Sequence, residues 1–293
     1  MRRPKETATA WLFLSPALFI YGLFLLYPML ASLAISFTNW DGISPRWEFT
    51  GLDNYRHIFF DDPQSLRAVK NNVVWTLVTV TVPAGWGLIL ATLLNSSMRG
   101  RTLFRAIFYC PSVLPLVAVA LIWAWMYNPQ FGIVNVTLRA LGLEDWTHAW
   151  LSEFETAFPA TLVTAIWQGT GFPMLLYLAG LQGIPRQQYE AAELDGAGWF
   201  RRFIHITLPW LKETHIVVLS LAAMQSLRAF DLIYAMTYGG PGRSTHVLST
   251  WMYFNLFQYR QAGLGSAIAW VIVIISLAVT IPYIRMVARR RHG

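Results

Sequence analysis

From Thr156 to Pro185 the chain reads TAFPATLVTAIWQGTGFPMLLYLAGLQGIP, with no Lys, Arg, Asp or Glu in the whole stretch. About 20 consecutive apolar residues suffice to cross the hydrocarbon layer of a bilayer as a helix, so this segment predicts a transmembrane span. The same absence of charge holds between Glu6 and Asp41, and over Asn71 to Met98, Ala106 to Leu138 and Gln261 to Ile284. One more apolar stretch, Thr214 to Tyr238, is interrupted only by Arg228 and Asp231. The expectation is therefore an all-α integral membrane protein, a single domain over residues 1–293 with six spans at about 11–37, 72–95, 106–127, 158–182, 214–238 and 262–284.

Composition agrees. The chain is 55% hydrophobic and only 13% charged, where a soluble globular protein carries about 25% charged residues. A net charge of +7 would in a soluble protein raise nucleic-acid binding. Here the charges flank the apolar runs, which excludes that class. The uncharged run near the N-terminus is also longer than the roughly 7 to 15 residue core of a cleaved signal peptide. The single cysteine, Cys110, rules out an intramolecular disulfide framework and reads as a small packing residue inside a span.

Orientation follows from the basic residues, because Lys and Arg in short loops are retained in the cytoplasm. With the N-terminus inside, the cytoplasmic segments hold Arg2, Arg3, Lys5, Arg99, Arg101, Arg105, Arg186, Arg201, Arg202, Lys212, Arg285, Arg289, Arg290 and Arg291. The external loops hold half as many: Arg46, Arg56, Arg67, Lys70, Arg139, Arg243 and Arg260. Both termini are expected in the cytoplasm of a bacterial inner membrane. The first external loop, Thr38 to Lys70, carries Trp40, Trp47 and Tyr55, residue types suited to a membrane–water interface, and reads as a folded cap with short helices. A second, Asn128 to Glu155, has the same character, and the third follows the turn signal Gly239-Gly240-Pro241-Gly242.

Nothing in the chain can make or hold a nucleotide complex. A phosphate-cradling P-loop needs a Gly-rich turn ending in Gly-Lys-Ser/Thr, and none of Lys5, Lys70 and Lys212 follows a glycine. The six histidines are isolated, without metal-ligand spacing. No catalytic group, metal site or cofactor is expected in this chain, so any energy coupling must come from other subunits.

The longest cytoplasmic connection, residues 183–211, is the informative one. Pro185 suits the first turn of a helix over Arg186 to Leu194, Asp195-Gly196-Ala197-Gly198 breaks it, and a second short helix can run from Trp199 to Ile204 before Pro209. Glu190-Ala191-Ala192, then Gly196, then Ile206-Thr207-Leu208-Pro209 closely resembles the EAA loop of permease subunits of bacterial ATP-binding-cassette importers. Leu181-Gln182-Gly183-Ile184-Pro185, Tyr189, Asp195-Gly196-Ala197, Gly51-Leu52-Asp53-Asn54-Tyr55 and the Gly239 turn resemble the carbohydrate branch, which includes maltose and glycerol-3-phosphate permeases. The resemblance runs from roughly Trp11 to the C-terminus. One departure is Glu213, where that family usually has a second proline.

The resemblance implies a type I importer permease fold and an ATPase-coupling role for Tyr189, Glu190, Ala191, Ala192, Asp195, Gly196, Ala197, Ile206, Leu208 and Pro209. The helix would dock into a groove of an ATPase subunit, with Ala191, Ala192 and Gly196 permitting close approach. On spacing alone, Glu190, Glu193 and Asp195 could equally be a solvated acidic face. The implied partners are a second homologous permease, two ATPases that bind ATP and Mg, an external sugar-binding protein and membrane lipid.

A substrate path is sought among polar groups inside spans, which are costly in lipid and so are functional candidates. Gln225, Arg228 and Asp231 are three apart and would share one stripe of a straight helix; Arg228 and Asp231 could instead be a buried pair that only stabilises packing. Position in the resembled family adds Trp167, Gln168, Gly169 and Ser226, with Trp167 open to a packing role as well. A stand-alone secondary transporter or channel is the rival reading. The topology is directly testable: reporters fused after Arg101, Arg201 and the C-terminus should read as cytoplasmic, and those after Asp53, Glu144 and Arg243 as external. A cytoplasmic signal at Asp53 would sink the six-span arrangement.

Overall fold

A computed structural model describes residues 4–96 and 98–290. Of the basic residues weighed for topology, Arg2, Arg3 and Arg291 lie outside them. Among the described residues there is no β-strand beyond the isolated bridge Thr38↔Phe49, and the rest is helix and connecting turns.

The helices Trp11–Ile35, Pro63–Leu94 and Ala157–Gln182 are each long and apolar enough to cross a membrane. Two expected spans depart from single straight rods. The third is two helices, Arg101–Val113 and Leu116–Met126, bent by 103°. Proline disfavours the helical region for the residue before it, and Leu114, before Pro115, is extended at ψ 139°. The fifth is Lys212–Ser226 followed by Asp231–Thr237, bent by 47°. Counting each bent pair once gives up to five spans by length and composition; the last helix, Ala262–Arg290, carries a further apolar stretch at Ala262–Ala278.

The chain forms two units, one made of residues up to Ser65 with Trp251–Val273, the other of Leu66–Thr250 with the chain from Ile274 on. In the first unit the helix Trp11–Ile35 shows its apolar side chains outward, Phe13 being 81% exposed, as a lipid-facing helix must. The loop after it is ordered by its own polar groups. Asn54 Nδ2 donates to the carbonyls of Ser36 and Thr38, each at 2.8 Å. The Ser44 hydroxyl, then the amides of Ile43 and Ser44, bond the Asp41 carboxylate and hold its pKa at about 2. Short helical turns follow at Asp53–Arg56 and His57–Asp61. Trp270 Nε1 donates to Ser32 Oγ at 3.2 Å and the Gly263 amide to the Trp40 carbonyl at 2.9 Å, which joins the start of the last helix to the first span.

The second unit contains two separate apolar cores. One gathers Trp75, Val119, Trp123, Tyr127, Ala160, Leu232, Ile233 and Val247. The other gathers Ala84, Leu94, Met174, Tyr177, Leu181, Ile184, Leu211 and Val218, with Tyr189 and Ile206 of the 183–211 loop packed against it. Lipid tails are as apolar as leucine, so helices in a membrane associate through close packing and hydrogen bonds rather than the hydrophobic effect. Gly171 shows the close packing: a Cβ there would stand 2.5 Å from the Phe108 carbonyl oxygen. Arg105 shows the hydrogen bonding, its Nη2 donating to the Leu94 carbonyl at 2.7 Å at the C-terminal end of the long helix, where carbonyls lack helical partners. Cys110, read from sequence as a packing residue, is instead exposed.

Beyond the helix Asp231–Thr237, the stretch Ser244 to Thr250 is buried although most of it is polar. Asn71 Nδ2 donates to the carbonyls of Ser244 at 2.7 Å and His246 at 2.9 Å, and Asn72 Oδ1 accepts from the Leu248 amide at 3.3 Å. His246 lies 3.2 Å from Thr250 Oγ1 through Nδ1. Burial, and secondarily the charge of Arg243, push its pKa down to about 4. The unfolded chain, with an ordinary imidazole near 6.5, therefore takes up this proton before the folded one does. Stability should fall as pH drops from about 6.5 toward about 4 and gain no further loss from His246 below that. Thermal unfolding followed across that range should show a steeper fall for the native protein than for His246→Gln; equal slopes would remove His246 as the cause.

Candidate functional site

Between the two cores the second unit has an open cavity of about 340 Å³. Its wall draws on Trp75, Thr79 and Pro83 of the long helix, Tyr109 and Ser112, then Gln168, Gly169, Phe172 and Pro173, and then Gln225, Ser226, Arg228, Phe230 and Asp231. Each helix that contributes to this wall carries a proline or a break beside it. Pro83 has no N–H to give the Thr79 carbonyl, and Pro173 none to give Gly169. The chain bends at Leu114–Pro115 and again at Leu227–Phe230.

Hydroxyls bridge the helices around the cavity. Ser112 Oγ donates to the Gln168 carbonyl at 2.8 Å, and Ser249 Oγ to the Ala229 carbonyl. Ser226 Oγ donates to Thr76 Oγ1 at 3.2 Å across helices. Irregular backbone at membrane depth is tolerated where it is buried in protein or lines a cavity, and this arrangement meets that condition. Apolar walls with a few convergent polar groups are the usual make-up of a small-molecule site.

The structure redraws part of the sequence-derived path. Residues Leu227 to Phe230 are not helical, so Gln225, Arg228 and Asp231 do not share a helical stripe; they meet because the bend turns them to one cavity. Arg228 and Asp231 are both exposed, and no ion pair joins them among the described residues. The alternative of a buried packing pair therefore fails. Gln168, Gly169 and Ser226 line the wall as well. Trp167 does not: it packs edge-on against Trp123, ring centroids 5.5 Å apart, because the next residue along the helix, Gln168, takes the inward direction.

Sequence reasoning missed Trp75, Thr79, Tyr109, Ser112, Phe172 and Phe230. The prolines at 83, 115 and 173 were the available signal, since a proline within an apolar run marks a place where backbone groups are freed. The bend at Leu227–Phe230 carries no proline or glycine and left no such signal.

The 183–211 loop forms the helix Arg186–Leu194, a turn, the helix Trp199–Arg202, a π-type turn Phe203–Thr207 and Leu208–Trp210. The turn is closed by the Ala197 amide on the Ala192 carbonyl at 2.8 Å and the Gly196 amide on the Glu193 carbonyl at 3.0 Å. This is the Schellman arrangement, which places a left-handed residue just past the helix, here Gly196 at φ +74°. Nothing lies within 4 Å of a Cβ built on Gly196, so within this chain glycine is required for conformation and not for room. Arg202 pairs with Glu193 at 3.2 Å and the Tyr189 hydroxyl meets Thr207 Oγ1 at 2.9 Å, which tie the two arms together. Glu190, Ala191, Asp195 and Pro209 are exposed, Ala192, Ala197, Ile206 and Leu208 partly buried. Leu194 is 90% exposed, an apolar side chain left without cover.

This constellation belongs to a known class. The chain is a member of the family described as binding-protein-dependent transport system inner membrane component, whose model matches residues 84–291. It is therefore a multi-pass inner-membrane permease subunit of an ABC importer, with the type I permease fold.

Among curated relatives it is 39% identical to the sulfoquinovosyl glycerol transport system permease SmoG of Agrobacterium fabrum, over 95% of this chain and 90% of that one. It is 36% identical to the trehalose/maltose transport system permease MalF of Thermococcus litoralis, over 98% and 96%. Among solved structures it matches a bacterial ABC transporter involved in import of the acidic polysaccharide alginate, with TM-score 0.81 and 25% identity over 97% of this chain and 96% of that one.

The turn makes a local prediction. An L side chain in the left-handed region costs about 1–2 kcal/mol, so Gly196→Ala should speed hydrogen exchange of the loop amides about fivefold or more. Gly196→Asn, which tolerates that region better, should speed it less. Equal exchange in all three proteins would remove the turn conformation as the reason for glycine.

Proposed function

We propose that this chain carries a sugar or sugar derivative through the cavity, driven by ATP that separate subunits bind and hydrolyse. The observation that supports it best is the placement of the cavity beside the core that also holds Tyr189 and Ile206: force applied to the 183–211 loop reaches the cavity wall through packed side chains. In this reading Glu190, Ala191, Ala192 and the Asp195-Gly196-Ala197 turn dock into a groove of an ATPase subunit, with exposed Leu194 as an apolar anchor. Ile206, Leu208 and Pro209 join that docked segment to the fifth span.

Two such ATPases hold ATP and Mg, a second homologous permease completes the pathway, and an external sugar-binding protein delivers cargo. Both termini lie in the cytoplasm. Gln168, Gly169, Gln225, Ser226, Arg228 and Asp231 contact the sugar, while Trp167, packed on Trp123, does not.

The test is ATP-dependent sugar uptake by the complex reconstituted in proteoliposomes. Gly196→Trp should abolish uptake while sugar capture by the separate binding protein persists. Arg228→Ala, Asp231→Ala and the exchange Arg228→Asp with Asp231→Arg should all assemble yet transport at least about tenfold more slowly, a loss worth about 1.4 kcal/mol. Normal transport by Gly196→Trp would overturn the docking role, and full uptake by the exchanged protein would overturn the cavity role. Sugar transport by this subunit alone, without ATP, would favour a stand-alone transporter.

A further inference from the structure

We infer that the cavity selects sugars that carry no net charge. The inference rests on the sugar-permease reading and sharpens it. Arg228 and Asp231 are the charged residues on the cavity wall, one of each sign; both are exposed, and neither joins an ion pair among the described residues. They stand on either side of the bend in the fifth span, close enough in the chain that a ligand reaching one comes under the field of the other.

Their chemistry suits hydroxyls. A guanidinium is donor only and a carboxylate acceptor only, whereas a hydroxyl is both donor and acceptor, so a neutral sugar can accept from Arg228 and donate to Asp231 at once. Gln168 and Gln225 add amides of mixed character, and Trp75 and Phe172 supply apolar surface for the ring. An acidic sugar gains at Arg228 but meets the like charge of Asp231. Beside apolar walls that repulsion is screened less than in open water, and among the described residues no second cation on the wall offsets it. The relatives named above do not decide this property; the charges on the wall do.

An external binding protein would impose its own selectivity, so the test uses the assembled permease–ATPase complex without it. Equilibrium binding is measured for matched labelled pairs: glucose and glucuronate, galactose and galacturonate, cellobiose and cellobiouronate. The expected result is that at least one neutral sugar binds, and tenfold or more tighter than its acidic counterpart. Asp231→Asn should shrink that ratio or reverse it, and Arg228→Gln should weaken the neutral sugar; co-elution of all subunits in size-exclusion chromatography shows that each variant complex is assembled. Equal or tighter binding of the acidic member, or a ratio that Asp231→Asn leaves untouched, overturns the inference while the sugar reading stands. Binding of no sugar in any pair removes the sugar reading itself, and this inference with it.

Discussion

A peptide group in hydrocarbon has no water to bond, and each unpaired one costs several kcal/mol. That constraint makes the chain a set of helices, and it also restricts where those helices can be broken. The breaks at Leu114–Pro115 and Leu227–Phe230, and the prolines Pro83 and Pro173, all fall around one cavity. There Ser112 and Ser249 donate to the carbonyls of Gln168 and Ala229. The site exists where irregular backbone is allowed to exist.

The same breaks divide the second unit into two cores. A continuous helix would couple its two ends rigidly; an interrupted one lets each half pack with different neighbours. The half of the fifth span before the bend contributes Val218 to the core that includes Tyr177 and Leu181. The half after it contributes Leu232, Ile233 and Met236 to the core around Trp123. Bistable transitions in proteins use packed bodies joined by a few residues that absorb the change in backbone angle, and the residues between these cores are those of the cavity wall. Among the described residues Tyr189 and Ile206 pack on the core that holds Tyr177 and Leu181.

Charge inside the membrane is treated differently from charge in the loops. Asp41, Asp62 and Glu153 all receive backbone amides and polar side chains, as expected of carboxylates with a structural duty at turns and helix starts. Among the described residues Arg228 and Asp231 form no ion pair, and they line a cavity instead. An ionisable residue held in a span without a structural partner is a strong pointer to function.

Amino-acid type and order alone determined the apolar runs, the class of protein, and the helix–turn–helix of the 183–211 loop with its break at Asp195-Gly196-Ala197-Gly198. These are local properties: burial in lipid depends on the residues of one segment, and a left-handed turn on the few that form it. Where the spans bend was only half visible. Pro115 could have announced the first bend, whereas the one at Leu227–Phe230 has no proline or glycine, and its Ala229 carbonyl is met by Ser249, 20 residues further along the chain. Spacing of three along an assumed straight helix brought Gln225, Arg228 and Asp231 to the right neighbourhood for the wrong reason, and it could not tell Gln168 from Trp167. Which of two adjacent side chains faces a cavity is decided by the rotation of a helix against its neighbours. Here that rotation is set by contacts such as Gly171 on Phe108 and Trp167 on Trp123, and those exist only in the tertiary structure.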